Sequence, residues 1–142
     1  GWRWVALVSI WGPVVCAVDT PSAADLEFFE TKVRPVLVEH CFKCHSTKEN
    51  KTKGGLAMDS RELMLKGGDT GPALVPGQPD KSLLIRAVRH ETAELAMPPK
   101  KKLSPQQIAD FETWIRSGAP DPRGDEGKIE KAKGKSDRIS CD

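Results

Sequence analysis

Apolar residues recur at helical spacing in several short stretches of this chain, separated by long polar or Gly/Pro-rich segments. Leu26, Phe29, Val33, Leu37 and then His40 or Cys41 fall on one face of a first helix. Ser22 followed by Asp25 has the form of a capping box at its start. Pro35 interrupts the pattern and predicts a kink or a restart, because its ring removes a backbone donor. Ser46 to Gly55 is polar and Lys-rich and reads as a surface loop. Asp59 or Ser60 can cap a short helix over Arg61 to Lys66, with Gly67 as its stop. Gly67 to Pro79 is rich in glycine and proline, so irregular backbone is expected; wrapping a large bound group is one reason for so long a loop. Asp80 is the expected cap of a helix over Ser82 to Arg89, with Leu83, Leu84, Ala87 and Val88 as its apolar stripe. After a stiff Ala96-Met97-Pro98-Pro99 loop and three lysines, Ser104-Pro105-Gln106-Gln107 opens a last helix. Ile108, Phe111, Trp114 and Ile115 share one of its faces, and Gly118 ends it. No segment has strand periodicity. The expected fold is all-α, with several short helices and long loops.

The ends of the chain differ from this middle. Residues 1–17 read as a signal peptide or an N-terminal anchor: Arg3 is a basic flank, Val5 to Val15 is mostly apolar, and Val15-Cys16-Ala17 fits a cleavage site. Gly12-Pro13 breaks that stretch, which is short for a bilayer span. From Ala119 onward charged residues alternate with few apolar ones, so residues 121–142 read as a disordered charged linker or tail. That leaves a single domain over 25–120. Cys141, near the end, suggests an intermolecular bond or a piece cut from a longer protein. The net charge of +2 from 22 basic and 20 acidic residues argues against a nucleic-acid binder that relies on bulk charge.

The chemistry concentrates in Cys41-Phe42-Lys43-Cys44-His45. Two thiols one helical turn apart can each form a thioether with a vinyl group of one porphyrin edge, and the next residue can bind the iron from the proximal face. Cys41 and Cys44 are therefore candidate attachment points for one haem c, and His45 the candidate proximal iron ligand. Export would place both thiols outside the reducing cytoplasm, so a periplasmic or other extracytoplasmic location is expected. Short Cys/His clusters also bind zinc or carry out thiol exchange, although no βαβ pattern surrounds this one.

The order of motifs resembles a class I cytochrome c and, more closely, the planctomycete-type cytochrome c domain. The resemblance rests on Phe28-Phe29, Val33 to Leu37, Cys41 to His45, Gly54-Gly55-Leu56 and Asp59-Ser60-Arg61. It continues through Gly71-Pro72-Ala73, Val75-Pro76-Gly77, Ser82-Leu83-Leu84, Met97-Pro98-Pro99 and Trp114-Ile115 to Gly118-Ala119-Pro120, spanning roughly 25 to 123. It implies a cytochrome c-like fold around one covalently bound haem, in a module that stands in a larger exported protein. It also implies that Met97, in its Pro-bounded loop, is the distal iron ligand. Pro72 would resemble the Gly-Pro pair whose carbonyl accepts from the proximal histidine, or else form a simple turn.

Met58, Met64, His40 and His90 are the other distal candidates, and an open or water-bound position is a further alternative. Met58 and Met64 suit core filling. His40 lies on the segment that leads to the proximal side. The resulting reading is an electron-transfer domain, not an enzyme, whose partner is a redox protein or an attached downstream domain. Membrane contact is expected only if the N-terminal segment is retained. The rivals are a haem sensor or enzyme domain with an exchangeable sixth ligand, and a zinc-binding interaction module. Lys100 to Lys102 could steer an acidic partner, although a charge run is more often a solvated loop. Phe29 and Trp114 are expected to pack the first helix on the last.

Overall fold

The computed structural model describes residues 20–124. Helices dominate it, and they meet where the apolar stripes predict. The Ser22–Asp25 capping box is present, and from it a helical run passes through Ala23–Phe28, Phe29–Val33, Arg34–Val36 and Leu37–Cys41. Pro35 does not break this run. The turns Phe29–Val33 and Leu37–Cys41 are π-wound, with the Arg34 N–H bonded to the Phe29 carbonyl and the Phe42 N–H to that of Leu37. Wider turns on either side absorb the donor that proline lacks, so the chain stays helical up to the cysteine pair.

Arg61–Lys66 is helical as expected, with the Ser60 hydroxyl as the N-terminal acceptor and Gly67 at its end with φ +72°. The next helix, Leu83–Val88, starts from Ser82 rather than Asp80. Asp80 lies in a 3-10 turn, Pro79–Lys81, and its carboxylate takes Arg89 instead at 3.0 Å. Ser82 gives no cap either: its hydroxyl receives the Val75 N–H at 2.9 Å and donates to the Gln78 carbonyl at 3.0 Å, pinning the Gly/Pro loop. The last helix, Pro105–Arg116, has the predicted box between Ser104 and Gln107. A two-residue antiparallel ladder, His45–Ser46 with Lys51–Thr52, is the one strand pair among the described residues. It is too short to leave a periodic trace in the sequence.

The core sits between the first and last helices. Phe29 and Trp114 are fully buried with ring centroids 5.6 Å apart, and Phe111 meets Trp114 edge-on at 6.3 Å. Val33, Leu37, Met64, Leu74, Ile85, Val88 and Ile115 fill the space around them. The Trp114 indole N–H is satisfied by the Pro120 carbonyl at 2.7 Å, so the chain after Gly118 folds back over the ring. Arg61 fastens the same turn by donating to the Gly118 and Ala119 carbonyls at 3.1 and 2.9 Å.

The packed body therefore continues past residue 120, where a linker was expected to begin. Asp121 and Arg123 are buried as an ion pair, and Pro122–Gly124 forms a 3-10 turn. A pairing between two residues so close in sequence has no apolar signature. The expected signal or anchor at 1–17 and most of the expected tail lie outside the described residues. No helix among the described residues is long and apolar enough to cross a membrane.

Truncating Trp114 removes the largest buried side chain and its hydrogen bond together. Trp114→Ala is expected to cost about 3–5 kcal/mol, read as a lower urea midpoint at unchanged slope.

Candidate functional site

The first helix delivers Cys41 at its last turn, and the Cys44 N–H closes a turn onto the Cys41 carbonyl at 3.1 Å. Both thiols are free and half-buried. Burial, with Cys44 beside it, pushes the Cys41 thiol up to about 12, so it stays protonated at neutral pH. A thiol-exchange pair needs the opposite, a depressed pKa that supplies thiolate. The described residues hold no group of three or more His, Cys, Asp or Glu side chains placed to share a metal ion, as a zinc site would require.

His45 follows in the short ladder, and backbone bonds fix it. The Lys53 N–H reaches the Cys44 carbonyl at 3.0 Å, and the Met58 N–H reaches the His45 carbonyl at 2.9 Å. The ring Nδ1 stands 3.3 Å from the Leu56 carbonyl. A carbonyl only accepts, so this contact calls for a proton on Nδ1 and leaves Nε2 with its lone pair free. Leu56 O thus holds the place that the resemblance suggested for Pro72. Pro72 is exposed, in a turn where the Gly68 N–H takes the Gly71 carbonyl at 3.1 Å.

Leu56 is held in position by glycines. Gly54 and Gly55 have φ of +63° and +67°, and the Asp69 N–H bonds to the Gly54 carbonyl at 2.8 Å. A Cβ on Gly68 would collide with that same carbonyl, and one on Gly67 with the carbonyl of Gly71. The Gly68 backbone can approach the Gly54 loop, and Gly67 can close the turn onto Gly71, only without side chains at those positions.

Asp59 was read as a possible helix cap, and Ser60 takes that role. The Asp59 carboxylate instead binds the loop after His45: it accepts from Ser46 Oγ at 2.7 Å, Thr47 N at 2.6 Å and Thr47 Oγ1 at 2.9 Å. Burial works to raise its pKa, but these hydrogen bonds outweigh it and hold the carboxyl below its ordinary 3.8.

The distal candidates separate clearly. Met58 and Met64 are buried in the core, and His40 Nε2 lies 3.7 Å from Glu39 on the helix that leads to Cys41. Met97 is 39% exposed, unusual for so large an apolar side chain. Its N–H bonds to the Ala87 carbonyl at 3.0 Å, and the His90 N–H bonds to the same oxygen, also at 3.0 Å. His90 has φ +56°, and its buried Nε2 has no hydrogen-bond partner among the described residues. Lys100 to Lys102 follow this loop and are exposed.

Residues 41–101 match the family model described as Planctomycete cytochrome C. The chain carries a planctomycete-type cytochrome c domain. Comparisons with curated proteins and with solved structures each found no match. The match begins at the first cysteine of the motif and ends just after the Met97 loop. It therefore spans every candidate ligand but His40, and both glycine loops, while the helices that carry Phe29 and Trp114 lie outside it.

The donor set fits a haem. Two free thiols share one turn, an imidazole beside them has its second nitrogen uncommitted, and a thioether side chain is partly exposed on a separate loop.

Asp59 ties His45's loop to the helix after it, so Asp59→Ala is expected to destabilise the protein by about 1–3 kcal/mol. Because the folded pKa lies below the unfolded one, the contribution is present above the unfolded value and lost as pH falls through the folded one. Denaturant midpoints measured down an acid series should fall more steeply in the wild type than in Asp59→Asn.

Proposed function

We propose that this cytochrome c domain is an exported single-electron carrier with one haem c, tethered by Cys41 and Cys44 and ligated by His45 and Met97. It acts as a module of a larger protein and exchanges electrons with a redox partner or with attached domains. The observation that carries the reading is the Leu56 carbonyl on His45 Nδ1, beside a turn that presents two free thiols. That arrangement commits one ring nitrogen to the protein and leaves the other for iron.

The haem, when bound, supplies the one-electron couple. The chain supplies its setting. A hydrogen-bonded His45 is a stronger donor and fixed in tautomer, while the soft Met97 thioether favours ferrous iron and raises the potential relative to two imidazoles. With His45 and Met97 both holding the haem, no place would be left for a substrate, which would suit a carrier rather than an enzyme. The uncovered Met97 side chain supports this reading, because a bound macrocycle would cover it.

His90 is the alternative distal donor, favoured by its unpartnered Nε2 and by the Ala87 carbonyl that its backbone shares with Met97. Replacing Met97 decides between them. Met97→Ala should keep haem through acid-acetone extraction, lose the sulfur-to-ferric-iron charge-transfer band and lower the potential. An unchanged spectrum would transfer the distal role to another residue. Carbon monoxide should bind the reduced wild type slowly and incompletely, and the reduced Met97→Ala protein rapidly and at one per haem. Rapid stoichiometric binding by the wild type would favour a sensor or enzyme instead.

A further inference from the structure

Arg123 and Asp121 lie beyond the stretch that matches the family, yet they are built into the site. Their side chains are 8% and 0% exposed and joined by two contacts of 2.6 and 2.9 Å, with a third at 3.2 Å. The Arg123 N–H adds another to Asp121 at 2.9 Å. A buried ion pair yields little net stability over apolar residues of the same volume, so its energetic value does not explain its place. Its geometry does. Arg123 Nη1 donates to the Met58 carbonyl at 3.0 Å, and the Met58 N–H holds the His45 carbonyl at 2.9 Å. Two residues earlier on the same strand of backbone, the Leu56 carbonyl faces His45 Nδ1. The guanidinium also lies over two rings, 5.0 Å from the centroid of Phe29 and 5.9 Å from that of Phe42, the residue between the two cysteines.

We propose that the Asp121–Arg123 pair positions the proximal histidine. Asp121 fixes the plane of the guanidinium. Arg123 then holds the Leu56–Met58 backbone on one side of the motif and the Phe42 ring on the other. The direction of the Leu56 carbonyl sets the rotation of the His45 ring and the strength of its Nδ1 hydrogen bond. This role rests on the haem reading above. A planar fork that satisfies a carboxylate and a carbonyl while stacking on aromatic faces is a task for arginine that lysine cannot repeat.

The test replaces the pair without changing net charge, by Asp121→Leu with Arg123→Met in one protein, an exchange that buried pairs commonly tolerate. The ferric wild type and variant are compared by the spread of their paramagnetically shifted haem methyl resonances, and both by reduction potential. Positioning predicts one retained haem per chain, an altered spread and a higher potential, because a looser Nδ1 bond makes His45 a weaker donor to ferric iron. Unchanged resonances and potential in a haem-bearing variant would overturn the proposal. Arg123→Lys keeps the charge without the fork and carries the same test if the double replacement does not accumulate: positioning predicts an altered spread, and wild-type signals overturn it. A wild type that loses its haem on acid-acetone extraction would instead sink the haem reading itself.

Discussion

The backbone of Met58 is the point on which the site depends. Its N–H holds the His45 carbonyl and its oxygen receives Arg123, so one residue links the cysteine motif to the end of the packed chain. The three residues Leu56 to Met58 then serve two purposes. Their backbone orients His45 through Leu56 O and Met58 N, while the Met58 side chain is buried in the core. A site of this kind cannot be loosened without disturbing the core that the same residues complete. That coupling is how a domain of modest size holds a motif of five residues rigidly with loops rather than with long helices.

The loops are ordered because each has a specific partner. The missing side chain of Gly68 lets its backbone touch the Gly54 carbonyl of the other loop, and Asp59 replaces missing ladder bonds with three of its own to Ser46 and Thr47. Ser82 gives up helix capping to satisfy the Val75 N–H inside the Gly/Pro loop. Arg89 joins Asp80 to Glu112 and so fastens the helix before the Met97 loop to the last helix. Polar side chains thus do in the loops what apolar stripes do between the helices. The ionic contacts of Arg89 are partly exposed and worth little alone, whereas Asp59 and Ser82 satisfy the backbone N–H groups of Thr47 and Val75.

What was legible in the sequence follows this division. Elements with a period, a cap and a stop were read correctly: Ser22–Asp25, Ser60 to Gly67 and Ser104 to Gln107 carry their own start and end signals. The pairing of Phe29 with Trp114 followed from apolar faces alone. Choices between neighbouring polar groups were not legible. Asp80 and Ser82 both have capping chemistry, and only the position of Arg89 draws Asp80 away. Leu56 was visible as part of a Gly-Gly-Leu stretch, but a backbone carbonyl has no residue type, so its role on His45 left no mark. Arg123 was hidden for a related reason: a charged residue in a charged segment reads as solvated unless its buried carboxylate partner is already known.

The two faces of the site are held to different degrees. His45, the proposed proximal ligand, is fixed by its ring contact to Leu56, its own carbonyl, the Cys44 carbonyl before it and the Asp59 bonds after it. In the separate loop that holds the proposed distal ligand, the Met97 backbone bonds to the Ala87 carbonyl and its side chain is 39% exposed. An electron carrier gains from this asymmetry. In the proposed haem site, His45 beside the two thiols would be preorganised, so the iron would meet a fixed donor. The distal loop would complete its packing against the bound macrocycle, so the energy that orders Met97 and the energy that binds the group would be the same interaction.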